Sequence, residues 1–255
     1  VSAPVISTAR FVLADPREAA DLGAFLARLL RFDRAAAVRL QATPDETGAG
    51  AGTGTGEGSG AGVLAVYGRL PLGSAGVLAL RTARLVRSAD PSADPFVGPA
   101  VDLTVSAGQL LDGVDEEHGA LAVPPPVTGP AWAGLLPPRG GWRPLGAVGA
   151  DQVLPQLLAA VGEFKERTAQ VPEHHRTRAV LDGIADEIWA RPLTALPALP
   201  LRAAHAAYRI GFLHPGAPLT AHRAGGWLRL TAPHGTVALR AAAAPGAGLG
   251  LTPLA

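Results

Sequence analysis

From Leu22 onward the apolar positions recur as Leu22, Phe25, Leu26, Leu29 and Leu30, the spacing of one buried helix face. Asp15 stands where an N-cap belongs, Pro16 at the first helical position, and Glu18 where a capping box needs an acid. The spacing predicts a helix to about Phe32, with Arg17, Asp21, Arg28 and Arg31 mostly off the buried face. The period then switches to two. Val38 and Leu40 alternate with Arg39 and Gln41, predicting a strand over 36–42, and 63–67 and 76–85 read as two more. A strand at 101–105 leads into Ser106, which caps a short helix with Gln109 as its partner and Leu110, Leu111 and Val114 as its apolar side. After the acidic turn Asp115-Glu116-Glu117, a last strand is predicted over 120–123.

Residues 124–150 interrupt these periods with Pro124-Pro125-Pro126, Pro137-Pro138 and Gly140-Gly141. Trp132 and Trp142 lie inside this segment, and an indole has a large area to bury. An ordered crossover packed on one or both flanking domains is therefore predicted. Helical period returns with Leu154, Leu157, Leu158, Val161 and Phe164, with Pro155 in the first turn. Thr177, Val180, Leu181, Ile184 and Ile188 mark a second helix, and Pro200 starts a third with Leu201, Ala204, Tyr208 and Phe212 inward. Strands over 219–223, 226–231 and 236–240 follow, separated by the turns Gly225-Gly226 and Pro233-His234-Gly235.

The fold class that follows is α+β. A helix-plus-antiparallel-sheet domain over 1–123 precedes the crossover 124–150, and a helical domain closed by a small β-meander occupies 151–240. The Gly-alternating tract 48–62 and the Ala/Pro/Gly tail 241–255 are predicted to be flexible, because glycine has the most backbone entropy to lose and no side chain to bury.

Composition narrows the function. With 48% hydrophobic and 17% charged residues among 255, the chain is not disordered throughout. A net charge of +1 gives no one-signed field of the kind that marks a nucleic-acid or membrane binder. There is no Cys, hence no disulfide, zinc-thiolate site or thiol nucleophile. Lys165 is the one lysine among 22 basic residues, and the abundant Ala, Gly, Pro and Arg have GC-rich codons. The chain starts at Val1 and contains no Met, as a GTG start codon read literally as Val would give. Nothing near Val1 has the form of a secretory signal, and no apolar run approaches the roughly 20 residues of a membrane span. A cytoplasmic protein is expected.

Motifs for cofactor and metal chemistry fail one by one. The lone lysine follows Phe164, so no phosphate-binding Gly-Lys loop exists. The glycines of 48–62 fall on even positions, whereas G-x-G-x-x-G needs its third on an odd one. No G-x-S-x-G elbow or H-E-x-x-H pair is present. No cofactor and no metal are expected. His174 and His175 would diverge by about 100° on a helix and read as a solvated helix start, and Asp115 to His118 read as a solvated turn. His205 falls on the apolar face of the third helix and reads as a core histidine bonded to a backbone carbonyl.

Alternation in the last strands places Leu228, Leu230, Val237 and Leu239 on one face and His222, Trp227, Arg229 and Arg240 on the other. Arg and Trp are enriched at interface hot spots, so the second set is a candidate interaction surface for a protein partner. The bland alternative is an Arg stacked over a Trp on an ordinary wet surface. The expected function is a non-catalytic binding or interaction protein. Two other readings stay open. Three helices followed by a hairpin are similar to a winged helix, with Arg202, Arg209, Arg223 and Arg229 as candidate nucleic-acid contacts. Against it, the ten residues 191–200 separate the last two helices, where a helix-turn-helix uses about 3–4. An enzyme with a cleft at the domain junction is the third reading, since acid–base sites need no linear motif.

The strand and Ser-capped helix over 101–113 look like one repeat unit of a sliding-clamp fold, a likeness of elements that implies no function. The whole chain resembles uncharacterised proteins of high-GC actinobacteria. Segments 21–34 (DLGAFLARLLRFDR), 131–144 (AWAGLLPPRGGWRP) and 201–213 (LRAAHAAYRIGFL) carry that resemblance, which implies no known activity.

Overall fold

The computed structural model describes residues 10–44, 62–73, 76–86 and 101–241. The first part contains β1 (Arg10–Leu13), α1 (Pro16–Leu30), β2 (Ala37–Pro44), β3 (Gly62–Leu70), β4 (Val77–Val86), β5 (Asp102–Ser106), α2 (Ala107–Asp112), β6 (Val114–Asp115) and β7 (Ala120–Ala122). A 3₁₀ turn at Ala131–Gly134 and β8 (Arg143–Gly149) lead to α3 (Leu154–Gln170), α4 (Arg178–Trp189), α5 (Leu201–Arg209), β9 (Pro218–Ala224), β10 (Trp227–Ala232) and β11 (Gly235–Arg240). The fold is α+β, as the periodicities predict. The tract 48–61 and residues 242–255 lie outside the described residues. No described helix is long and apolar enough to cross a membrane.

Local signals act largely as read. Asp15 Oδ1 accepts from Arg17 N at 2.8 Å, and Ser106 and Thr177 accept from Gln109 N and Val180 N, each at 3.4 Å. Glu18 departs from the capping box. Its carboxylate accepts from Arg84 Nε at 2.8 Å and from the Arg84 backbone N–H, and the charge-assisted bond to the guanidinium is stronger than the capping-box bond to a neutral amide. Three strands escape the periodic reading, β1, β8 and the two-residue β6, whose Val114 and Asp115 read as the side of a helix and a turn. β1 has only four residues, and β8 lies in the Pro/Gly-rich crossover with a bulge between Pro144 and Gly146. A proline and a bulge are tolerated there because β8 is an edge strand.

The sheet runs β5-β2-β3-β4-β11-β10-β9-β8. Its centre joins the two parts of the chain, with Leu80, Ala79 and Leu78 of β4 opposite Thr236, Val237 and Ala238 of β11. β1 also pairs with β4, through Val12↔Val86 and Leu13↔Leu85, so the sheet forks along β4. Arg81 spans the fork, with one guanidinium nitrogen 2.5 Å from Asp21 of α1 and another 2.5 Å from the His234 carbonyl.

One face carries the helices. Leu22, Phe25, Leu26 and Leu29 of α1 share a core with Leu40, Leu64, Val66 and Leu85, and Leu201, Ala204 and Ala207 of α5 share it with Leu228, Leu230 and Val237. Phe25 and Phe212 stack with centroids 5.8 Å apart and tie the two ends of this layer together. α1 approaches β3 so closely that a Cβ on Gly68 would lie 2.6 Å from Leu29 Cδ2. The crossover runs over the opposite face. Val127 N donates to Thr104 O at 2.8 Å, and Trp132, Leu136 and Trp142 pack against Leu78, Trp227 and Ala238. Leu78 and Ala238 are register partners, so the crossover covers the β4–β11 seam.

Candidate outer-face binding trough

Strand alternation places His222, Trp227, Arg229 and Arg240 on the outer face, while Leu228, Leu230, Val237 and Leu239 join the helix-side core. Trp227 is only 8% exposed, yet its cover is not helical. Arg240, its register partner, lies with its guanidinium 4.3 Å from the Trp227 ring, and Leu78 and Ala238 flank it. Arg229 sits 4.2 Å from the Trp142 ring, and Trp142 Nε1 donates to Pro138 O at 2.9 Å. The crossover therefore fixes the plane on which Arg229 rests.

Beside this stack is a cavity of about 260 Å³ on the outer face. Pro137, Pro138, Arg139 and Trp142 form one wall, small side chains such as Ala65, Thr82, Thr236 and Ala238 line it, and Gln41, Tyr67 and Arg229 add polar atoms. Among the described residues no carboxylate lines it. Asp102, the β5 register partner of the lining Gln41, is 2.6 Å from Arg39 Nε and close enough to Arg139 for their charges to interact. Burial holds Arg229 below the ordinary guanidinium range. Burial first and the charge of Arg229 second hold His222 below the usual imidazole range, and burial pushes Tyr67 up against the opposing effect of Arg139. His222 and Arg229 are register partners, and both His222 Nδ1 and Arg229 Nε are buried without a hydrogen-bond partner. Buried polar atoms are normally satisfied, so this pair marks a place suited to an incoming acceptor.

The four arginines of the winged-helix reading do not share a face. Arg202 reaches Asp186 at 2.5 Å and Arg209 lies over the Phe32 ring at 5.1 Å, both in the helical layer. Arg223 continues the helix-side row of Leu219 and Ala221, whereas Arg229 is on the outer face. The β10–β11 hairpin is flanked by β4 and β9, so it is part of the sheet and not a free wing.

Other histidines take structural positions. His205 is buried and stacked on Trp189 with centroids 3.9 Å apart, and its Nδ1 has no partner in place of the expected carbonyl. Burial first, then Arg209 and Arg202, push it down to about 4. His118 Nδ1 is 3.0 Å from Asp115 in an exposed turn, and His174 and His175 are exposed. Among the described residues no group of three or more His, Asp or Glu could hold a metal ion. Arg139 and Tyr67 were missed in the sequence. No local pattern says that the crossover brings Arg139 over β3.

The fold and trough define a two-part α+β protein with one shared antiparallel sheet, helices on one face and a crossover-bounded basic trough on the other. Residues 6–134 match the model of a domain of unknown function, DUF8010, and residues 137–244 that of another, DUF8185. The first match takes in just over half of the chain, which belongs to the DUF8010 family. No curated protein and no solved structure matches it.

Proposed function

We propose that this is a non-catalytic, cytoplasmic binding protein whose outer sheet face takes an acidic segment of a partner protein. The observation that carries it is the buried, unpartnered Arg229 Nε and His222 Nδ1 beside a trough lined, among the described residues, by two arginines and no carboxylate. A guanidinium stacked on an indole keeps its edge N–H groups in a fixed fork, which suits a carboxylate and loses little side-chain entropy on binding. Single-stranded nucleic acid fits less well. It binds by stacking bases on aromatic faces, and Trp142 and Trp227 each already carry a guanidinium. The adjoining family matches support a two-part chain joined within 124–150. The Arg-rich, Lys-poor composition supports a high-GC, actinobacterial origin.

Fluorescence anisotropy with an extended Glu-rich peptide tests this reading, with a single-stranded oligonucleotide as competitor. Combining Arg139→Gln with Arg229→Gln removes two charged donors, each worth about 1.5–3 kcal/mol, and is expected to weaken peptide binding by at least about tenfold. Peptide binding unchanged in a folded double variant, or tighter binding of the oligonucleotide, would overturn it.

A further inference from the structure

On the helix side of the fork a second pocket, of about 230 Å³, opens between α1, β4, the segment after α5 and the β10–β11 turn. Arg28, Arg81, His214 and His234 line it with Asp21, and the stacked Phe25 and Phe212 supply apolar wall. Arg28 is its free cation: no carboxylate among the described residues forms a salt bridge with it. It lies against Gly211, whose φ is +82° and where a Cβ would be 2.7 Å from Arg28 Cζ. Glycine there permits both the turn and the close approach of the guanidinium.

The rest of the lining is fixed. Arg81, with 13% of its side chain exposed, is held by Asp21 and the His234 carbonyl, yet its Nε is buried without a partner. His214 Nε2 donates to Gly211 O at 2.9 Å and the ring meets His234 edge-on, with centroids 5.0 Å apart. Asp21 is the one acid among the described residues that line the pocket. Glu18, lining the adjoining cavity at the fork, is engaged by Arg84. Two guanidinium groups against one carboxylate leave the pocket positive. Its volume is below the about 300–1,000 Å³ of drug-sized ligand sites, so it suits a compact anion and not a nucleotide.

We infer that this pocket binds a phosphate group, free or as the monoester of a small metabolite, with Arg28 as its main contact. The lining comes from both parts of the chain, so the bound anion also holds α1 to the segment after α5. This inference is independent of the outer trough.

Thermal unfolding and calorimetry with inorganic phosphate and with glycerol 3-phosphate, at constant ionic strength set by NaCl, test it. Phosphate is expected to raise the unfolding temperature above the NaCl control. Arg28→Gln is expected to weaken binding by about tenfold or more, the loss of one charge-assisted hydrogen bond, while Arg139→Gln in the outer trough leaves it unchanged. Tighter binding of glycerol 3-phosphate assigns a monoester, and equal binding assigns the phosphate group alone. Circular dichroism confirms that Arg28→Gln folds. No response of the wild type to either anion, or an equal response in folded Arg28→Gln, would overturn the assignment, as would tighter binding of ADP.

Discussion

The guanidinium of Arg229 in β10 rests 4.2 Å from the indole of Trp142, which lies in the crossover just before β8. A residue of the last hairpin is thus positioned by a segment more than eighty residues earlier in the chain. The same indole packs toward Leu78 and Ala238 at the β4–β11 seam, so one side chain serves both the trough and the joint.

Trp142→Ala removes that half-buried indole and is expected to cost about 1.5–3 kcal/mol. The midpoint of urea unfolding should fall, and Trp142→Phe should recover part of the loss. Protease resistance across residues 124–150 that is unchanged in Trp142→Ala would mean that the indole does not hold the crossover on the sheet.

Acid should weaken the fold before the carboxylates titrate. His205 is held down to about 4 by burial, then Arg209 and Arg202, against an unfolded value of about 6.5. The unfolded chain therefore binds the extra proton between these values, and stability is complete above about pH 6.5 and declines toward pH 4. The His205 share of that decline is about 3 kcal/mol. His222 contributes with the same sign. Asp102, Glu163 and Glu187 are held low by their arginine partners, so their contribution is lost only at lower pH. Urea midpoints measured from pH 7 to pH 4.5 should show the decline, and His205→Phe, which can keep the stack on Trp189, should flatten it. An equally steep profile in His205→Phe contradicts this origin.

Two glycine substitutions should move stability in opposite directions. Gly68→Ala places a methyl group 2.6 Å from Leu29 Cδ2 between α1 and β3, and overpacking of this kind costs about 1–3 kcal/mol. Gly162→Ala lies within α3, where nothing stands within 4 Å of the added Cβ. It should gain about 0.5–1 kcal/mol from helix propensity. Calorimetric unfolding of the two variants checks both signs.

Periodicity makes the α1 face, most strands of both parts and the face assignment of Trp227 and Arg229 legible, because each depends on neighbours a few residues away. The pairing of Ala79 with Val237 depends on residues far apart in sequence, which no local period encodes. The winged-helix likeness had the same cause: three helices and a hairpin look alike whether the hairpin is free or enclosed by β4 and β9. Glu18 carried a correct local signal that a distant arginine overrode. The outer-face placement of His222, Trp227, Arg229 and Arg240 is readable from alternation, whereas Arg139 joins Tyr67 of β3 in the trough only through the path of the crossover.

The most direct test of the outer-face account is an NMR titration of the histidine rings with the Glu-rich peptide at pH 6. His222, held below the usual range by burial and by Arg229, should gain protonation as the peptide's carboxylates come beside it. Its ring signals should therefore move toward the imidazolium positions, while those of buried His205 stay fixed. A saturable titration in which His222 does not move, or in which only exposed His174 and His175 respond, would contradict binding at the Arg229 trough.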